Sequence, residues 1–249
     1  MNRNQTLNVK SQESWVISNS TVGIIGGMGP EATMDLMGKI LLASKELDKP
    51  PRLVVDCNPT VPSRLAAIEG RGPSPVPVLQ KMSKGLVQLG ANILLIACNA
   101  AHYFYEEIRE TTGGIPILNM IEEVVTSLLE RDASGPIVVM GAAQIIEELY
   151  GTRLRAAGFT VILPETDDRR ELNTILVRAW KGDLGQDVKR SAHELVDKMN
   201  HRGCTHLILA CTELALLLQE YNGSLKLVDP LWILAQSTVK ALKERLKGG

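Results

Sequence analysis

Two of the four cysteines, Cys98 and Cys211, occupy equivalent places in an internal repeat. Residues 90–99 align without gaps with residues 203–212, at an offset of 113 residues throughout. Each segment follows an amphipathic helical pattern and is typical of a buried strand that ends in Ala-Cys and a small polar residue. In an open parallel sheet, ligands bind outside the carboxyl ends of the strands, so both thiols are predicted at a ligand-binding edge.

Such a pair suits proton transfer at a carbon centre. A helix N-terminus favours the thiolate and lowers the pKa of a thiol from about 8.5, so a cysteine just before a helix can act as a base. If two related halves face each other, one thiolate removes a proton while the opposite thiol delivers one to the other face. A racemase or epimerase requires this symmetry because it must work from either enantiomer. The alternative for each cysteine is a place in the core, where free cysteines are common, and we expect that role for Cys57 and Cys204, which have no mirror.

Short β-branched runs alternate with longer helical patterns, which is typical of an α/β fold with parallel, doubly covered strands. The predicted strands are 21–25, 53–56, 93–97, 137–140, 160–163 and 206–210. The predicted helices are 30–47, 78–89, 101–109, 145–156, 171–180, 187–200 and 232–246. The repeat indicates two similar halves, because a solenoid would use a period of roughly 20–50 residues. The expected domains are a flexible N-terminal arm over 1–20, a first α/β domain over 21–120 and 228–249, and a second over 121–227.

Composition excludes several classes of protein. Apolar residues make up 45% of the 249 residues, which is too many for a disordered tail protein. Lysine and arginine total 27 against 28 acidic residues, so no nucleic-acid or anionic membrane partner is expected. The first twenty residues are polar and no apolar run approaches the roughly 18 residues that span a bilayer. We therefore expect a cytoplasmic enzyme with reduced thiols.

Three motifs together resemble the aspartate/glutamate racemase family, and in particular its cofactor-independent aspartate racemase branch. They are Gly26-Gly27-Met28-Gly29-Pro30-Glu31-Ala32-Thr33, Cys98-Asn99-Ala100-Ala101-His102 and Cys211-Thr212-Glu213. The resemblance implies two pseudosymmetric Rossmann-like domains with parallel sheets, an active-site cleft between them, and commonly a homodimer. It also implies a two-thiol mechanism without pyridoxal phosphate or any other cofactor or metal. Carried over from glutamate racemases, Cys98 would act on the D-enantiomer and Cys211 on the L-enantiomer.

The same resemblance implies a set of substrate-binding residues. Asn99 and Thr212 would bind the α-carboxylate or amine beside each cysteine, and the loop 58–64 would place Arg64 on the side-chain carboxylate, to which a guanidinium can bind bidentately. The full expected set is Met28, Gly29, Asn58, Arg64, Asn99, Ala100, Thr212 and Glu213. The expected substrate is a small acidic amino acid, aspartate first and glutamate second.

The chain also departs from the family pattern. Ala100 stands where threonine is usual, Ala210 stands where glycine is usual, and the turn 141–145 lacks the threonines often found there. A basic residue of the second domain should help to hold the distal carboxylate, and either Arg178 or Lys181 could be that residue. The side chains of His102 and Glu213 could each orient a carboxylate, tune a thiol or serve as caps. These departures bear on the substrate more than on the reaction type.

Other functions remain open from the sequence. Residues 27–32 match the loose dinucleotide fingerprint GxGxxA, and Asp56 ends the next strand, as in an NAD-dependent oxidoreductase. Against this interpretation, Pro30 removes an N–H donor where a pyrophosphate would bind, and the fingerprint does not explain the repeated cysteine. A Cys–His hydrolase, a binding protein without chemistry, and the related decarboxylases, maleate isomerases and hydantoin racemases are further alternatives.

Overall fold

The computed structural model describes residues 20–47, 49–141 and 147–245, which form two compact units. Unit 1 contains residues 20–120 and the described residues from Leu234 onward, and unit 2 contains Ile121–Ile233. Apart from Ser20, the predicted N-terminal arm lies outside the described residues. Within the described ranges, no helix is both long and apolar enough to cross a membrane.

Unit 1 is built on a parallel three-stranded sheet of order β2-β1-β3. Its strands are β1 (Thr21–Gly26), β2 (Arg52–Cys57) and β3 (Ile93–Ile96), and its first four helices are α1 (Pro30–Ala43), α2 (Arg64–Ile68), α3 (Val76–Gln88) and α4 (Tyr105–Arg109). Short 3₁₀ helices follow α1 at Ser44–Glu46 and precede α4 at Ala100–Phe104. Every residue of β1 and β3 is buried, which is why β3 is an uninterrupted apolar run and β1 is apolar after Thr21.

Unit 2 is built on a parallel four-stranded sheet of order β5-β4-β6-β7. Its strands are β4 (Ile137–Met140), β5 (Val161–Ile162), β6 (His206–Leu209) and β7 (Lys226–Val228). The helices from here on are α5 (Met120–Glu130), α6 (Thr152–Ala156), α7 (Thr166–Trp180), α8 (Gln186–His201), α9 (Thr212–Leu217) and α10 (Pro230–Arg245), with a π-helical turn at Glu147–Gly151. Helices α5 and α10 each contain a point at which the chain passes between the units.

The repeat seen in the sequence is a repeat of backbone geometry. Gly90 and Gly203 both end a helix with positive φ, at +90° and +84°, a conformation that glycine adopts without steric cost. The next strands, β3 and β6, lie beside the first strands of their own units, β1 and β4. Just after these strands, Ala97 donates to Ile25 O at 3.0 Å, and Ala210 donates to Met140 O at 2.8 Å. The predicted α/β fold with two similar parallel halves is therefore confirmed.

Some element bounds differ from the sequence prediction. Helix α7 begins at Thr166, five residues before the predicted start, because the Asp168 carboxylate accepts the Glu165 N–H at 3.1 Å and pairs with Arg202, which directly follows α8. The predicted helix 30–47 ends as an α-helix at Ala43 and tightens into a 3₁₀ turn. Helices α2 and α5 and strand β7 have no counterpart among the predicted elements.

Candidate active site

Each candidate cysteine lies at the carboxyl edge of its own sheet, just after a strand that pairs with the first strand of its unit. Cys98 follows β3 and Cys211 follows β6, and their exposed fractions are 8% and 9%. Cys98 shares an apolar cluster with Met28 and Ala101, and Cys211 shares one with Leu214 and the inner face of α7. Both thiols are free. Of the other two cysteines, Cys204 is buried as expected, whereas Cys57 is exposed, so the expected core position is wrong for Cys57. Each unit thus presents one nearly buried thiol where a parallel sheet binds ligands.

The turn between β1 and α1 is packed tightly against the end of β2. Gly27 has φ +89°, and a Cβ at this position would collide with the Asn58 backbone. Asn58 N–H donates to Gly26 O at 3.3 Å, and Gly27 N–H donates to Thr33 Oγ1 at 2.9 Å. The Met28–Gly29 peptide in this turn is cis. The fold therefore brings two predicted binding segments, 27–29 and the loop from Asn58, to one edge of unit 1.

Arg64 reaches the same turn from the first residue of α2. Its Nη2 donates to Met28 O at 3.4 Å, and its Nη1 donates to Val61 O and Pro62 O at 3.2 and 3.1 Å. Its Nε is buried and has no hydrogen-bond partner within the described part of the chain. An unsatisfied buried donor costs about 1–3 kcal/mol, so this N–H is suited to donate a hydrogen bond to a bound anion.

The residues after Cys98 form the first turn of a 3₁₀ helix. Asn99 is buried and its carbonyl accepts the His102 N–H at 3.1 Å, while Ala100 begins the turn. The His102 ring bonds to backbone groups: Nδ1 lies 2.8 Å from Cys98 O, and Nε2 accepts the Met120 N–H at 3.1 Å. The His102 side chain is therefore hydrogen-bonded to the backbone of the residue that carries the thiol.

The Cys211 thiol is hydrogen-bonded to the carboxylate of Glu213. Its Sγ–H donates to Glu213 Oε2 at 2.9 Å, and Thr212 Oγ1 donates to the same oxygen at 3.1 Å. Burial, followed by the Glu213 charge and its hydrogen bond, raises the pKa of Cys211 well above its ordinary value, while a hydrogen bond from the Trp180 side chain acts to lower this pKa. The Glu213 backbone N–H at the start of α9 acts to lower the pKa of Cys211, as expected of a helix N-terminus. Desolvation and the adjacent carboxylate outweigh this contribution, because both disfavour the thiolate.

The two basic residues predicted in unit 2 have different surroundings. Arg178 forms ion pairs with Asp183 at 2.5 Å and with Asp187 at 2.7 Å. These carboxylates raise the pKa of Arg178, and the ion pairs anchor the loop from α7 to α8. Lys181 is exposed at the end of α7. Trp180, which lies between them in sequence, is the side chain that acts to lower the pKa of Cys211. Sequence reasoning missed Trp180, although an indole N–H one residue before an expected binding position was a usable signal.

The dinucleotide interpretation of the glycine turn is not favoured by its hydrogen bonds. The Gly27 N–H is already bonded to Thr33, and Pro30 occupies the first position of α1 without an N–H. A pyrophosphate at this helix start would require such donors. Among the described residues, no group of three or more His, Cys, Asp or Glu side chains could hold a metal ion.

Comparison with known proteins agrees with this geometry. A broad specificity amino-acid racemase, RacX, from Bacillus subtilis (strain 168) is 25% identical over 227 residues, which cover 88% of this chain and 96% of the relative. The aspartate racemase structure from Picrophilus torridus is 26% identical with a TM-score of 0.73, covering 91% of this chain and 98% of that one. An aspartate racemase homologue from Pyrococcus horikoshii OT3, at 24% identity and a TM-score of 0.71 over 90% of this chain and 99% of that one, shows the shared fold. The family profile Asp/Glu/Hydantoin racemase matches residues 25–238, and the chain therefore belongs to this racemase family.

Proposed function

We propose that the protein is a cofactor-independent amino-acid racemase whose two bases are Cys98 and Cys211. The observation that carries this proposal is the equivalent placement of two nearly buried thiols after β3 and β6, at the same offset of 113 residues as the repeat. In the reaction, the Cys98 thiolate takes the α-proton and becomes a thiol. The Cys211 thiol then donates its proton to the opposite face of the same carbon and becomes a thiolate. The reverse reaction begins from this second state, so no oxidant, reductant or electron sink is consumed.

The surroundings of Cys211 support a defined starting state. Burial and Glu213 raise the pKa of this thiol, so the resting enzyme carries a proton on Cys211. By the family resemblance, this state accepts the D-enantiomer. Starting from the L-enantiomer, Cys211 must first lose its proton, for which the Glu213 carboxylate at 2.9 Å is an acceptor and the Trp180 side chain is a donor to the resulting thiolate.

The substrate in this proposal is aspartate, with glutamate second. Arg64 binds the side-chain carboxylate, and its unsatisfied Nε supports that role. Asn99 and Thr212 bind the α-carboxylate and amine. Met28, Gly29, Asn58, Ala100 and Glu213 complete the substrate-binding set.

The test is racemisation by purified protein without added cofactor. L-Aspartate, L-glutamate and a panel of neutral and basic amino acids are incubated separately, and chiral chromatography measures the D-enantiomer. The panel is needed because a relative in Bacillus subtilis is named for broad specificity. We expect racemisation of aspartate, and loss of at least about a thousandfold in Cys98→Ser and in Cys211→Ser, since serine is a far weaker acid at neutral pH.

Cys57→Ser is the matched control, because Cys57 is a free but exposed cysteine of unit 1. It should keep the wild-type rate. Full activity in either Cys98→Ser or Cys211→Ser would contradict the two-base assignment. Racemisation of substituted hydantoins without racemisation of any free amino acid would contradict the proposed substrate class.

A further inference from the structure

His102 occupies an unusual position for a residue of a catalytic motif, because its ring is directed at the backbone. It is 4% exposed, with Nδ1 2.8 Å from the carbonyl oxygen of Cys98 and Nε2 3.1 Å from the amide nitrogen of Met120. Its ring stacks on Tyr105 with the ring planes 7° apart and the centroids 6.3 Å apart. The Tyr105 hydroxyl in turn donates to Ile117 O at 2.9 Å.

The two backbone partners fix the tautomer of the ring. A carbonyl oxygen can only accept, so Nδ1 must carry the hydrogen that is shared with Cys98 O. The Met120 amide can only donate, so Nε2 must offer its lone pair. Both bonds exist together only in the neutral imidazole protonated at Nδ1. His102 is therefore held as a neutral bridge between two backbone positions.

The two backbone positions that His102 bridges are Cys98, which carries the thiol, and Met120, at the end of this part of unit 1. Strand β3 ends at Ile96, and the Ala97 N–H makes the next bond, to Ile25 O. At Cys98 the carbonyl has moved beyond the sheet ladder, and the His102 ring supplies its donor. Met120 is the last residue of unit 1 before the chain passes into unit 2.

The segment leading to Met120 is itself anchored on β3. Leu94 N–H donates to Pro116 O at 2.8 Å, and Leu118 N–H donates to Leu94 O at 3.0 Å. The parallel bridge between Leu94 and Ile117 extends the sheet by one short segment. His102 therefore closes a loop that runs from Leu94 through Cys98 and back along this segment, so the Cys98 backbone is held on two sides.

We infer that His102 is a positioning residue that sets the place of the Cys98 thiol by holding its carbonyl, an inference that rests on the proposed two-thiol racemisation. Proton transfer requires Sγ within hydrogen-bond reach of the substrate carbon on one face, and a displacement of about 1 Å can cost about a hundredfold in rate. The ring does not exchange protons with the substrate. Its bond to the Cys98 carbonyl is the one that matters for the reaction, while its bond to Met120 supports the fold.

Two substitutions separate these bonds. His102→Asn places an amide donor near the position of Nδ1 and keeps the bond to Cys98 O, but it loses the acceptor for Met120. His102→Gln places an amide oxygen near the position of Nε2 and keeps the bond to Met120, but it loses the donor to Cys98 O. Each variant removes one buried hydrogen bond, so the melting temperatures of the two variants should fall by similar amounts.

The expected kinetic result is asymmetric. The kcat of His102→Asn should stay within about threefold of wild type, and the kcat of His102→Gln should fall about thirtyfold, with KM changed less than about twofold in both. Loss of kcat in proportion to loss of melting temperature in both variants would overturn the inference. So would full activity in His102→Gln, or a larger loss in His102→Asn.

His206→Gln is the matched control. His206 is also buried and its Nδ1 is bonded to Thr205 Oγ1 at 2.9 Å, but it begins β6, at the end of the strand away from Cys211. This variant should lose melting temperature without losing kcat. A thirtyfold loss of kcat in His206→Gln would overturn the special role of the Cys98 carbonyl bond.

Two further readouts need no racemisation, so they separate failure of this inference from failure of the proposed function. Nitrogen-15 NMR of wild-type protein should find His102 protonated at Nδ1 and unprotonated at Nε2 at pH 7. Iodoacetamide labelling with peptide mass spectrometry should find the Cys98 rate changed at least about fivefold in His102→Gln, with the Cys211 rate unchanged. An Nε2-protonated ring, or equal Cys98 labelling in wild type and His102→Gln, would overturn the inference even in an active enzyme.

Discussion

Replacing Glu213 with glutamine should make the Cys211 thiol ionise more readily. Besides burial, the causes that raise the pKa of Cys211 are the charge of Glu213 and its hydrogen bond with the thiol. Glutamine keeps the size of the side chain and removes the charge. The pKa of Cys211 should therefore fall, although burial still holds it up. A hydrogen bond to a charged group is worth about 1.5 kcal/mol, and here it stabilises the protonated thiol. Losing that stabilisation corresponds to about a tenfold larger thiolate fraction at a pH below the pKa of Cys211.

The assay is the rate of iodoacetamide labelling at Cys211, followed by peptide mass spectrometry from pH 6 to pH 10. Only the thiolate reacts, so the rate at pH 7.5 should rise about tenfold in Glu213→Gln. Glu220→Gln is the control: it removes the same charge from an exposed side chain whose ion-pair partner, Lys189, lies 4.0 Å away. An unchanged or slower rate in Glu213→Gln, or an equal rise in the control, would refute the assigned cause of the raised pKa.

Three other outcomes follow from the contacts. Trp180→Phe removes a hydrogen bond that lowers the pKa of Cys211, so labelling of Cys211 at pH 7.5 should slow by roughly threefold; faster labelling would contradict that contact. Arg64→Met should lower kcat/KM for aspartate more than about a hundredfold, from two lost charged hydrogen bonds, and leave alanine turnover within about threefold; equal losses for both substrates would remove Arg64 from the distal carboxylate. Gly27→Ala should lose at least about 2 kcal/mol of unfolding free energy by urea denaturation, because its Cβ would meet the Asn58 backbone at positive φ; a wild-type midpoint would show that the turn can relax.

The parts of the fold that the sequence predicts well are those with local causes. Strand β4 has its predicted bounds because a buried parallel strand is a continuous apolar run, and the helix-ending glycines of the repeat mark where β3 and β6 begin. Helix α7 begins early for a reason that is not local, since Arg202, which directly follows α8, pairs with the Asp168 that caps α7. Strand β7 has only three residues, whose burial increases from the exposed Lys226 to the buried Val228, and it depends on pairing with β6. Helix α5 is not among the predicted elements, although its buried residues Met120, Val124 and Leu128 recur at helical spacing.

The candidate site, like the fold, has some features that the local sequence predicts and others that depend on distant residues. The motifs place Cys98 and Cys211 at strand ends, and the structure locates them there. The motifs do not reveal that Glu213 accepts a hydrogen bond from Cys211 or that the Trp180 side chain acts to lower the pKa of Cys211. Both facts depend on rotamers and on the packing of α7 against α9. The backbone bonds of His102 likewise depend on a segment eighteen residues away in sequence.

The most direct test of the two-thiol mechanism is the fate of the α-hydrogen in the first turnovers. Wild-type protein is incubated in deuterium oxide with L-aspartate, and separately with D-aspartate, without cofactor, and the two enantiomers are separated before mass analysis. Two bases predict that newly formed product carries solvent deuterium while the unreacted enantiomer stays protonated, from either starting material. Deuterium that enters the recovered substrate as fast as the product, or a product that keeps the original proton, would indicate a single base and contradict the pairing of Cys98 with Cys211.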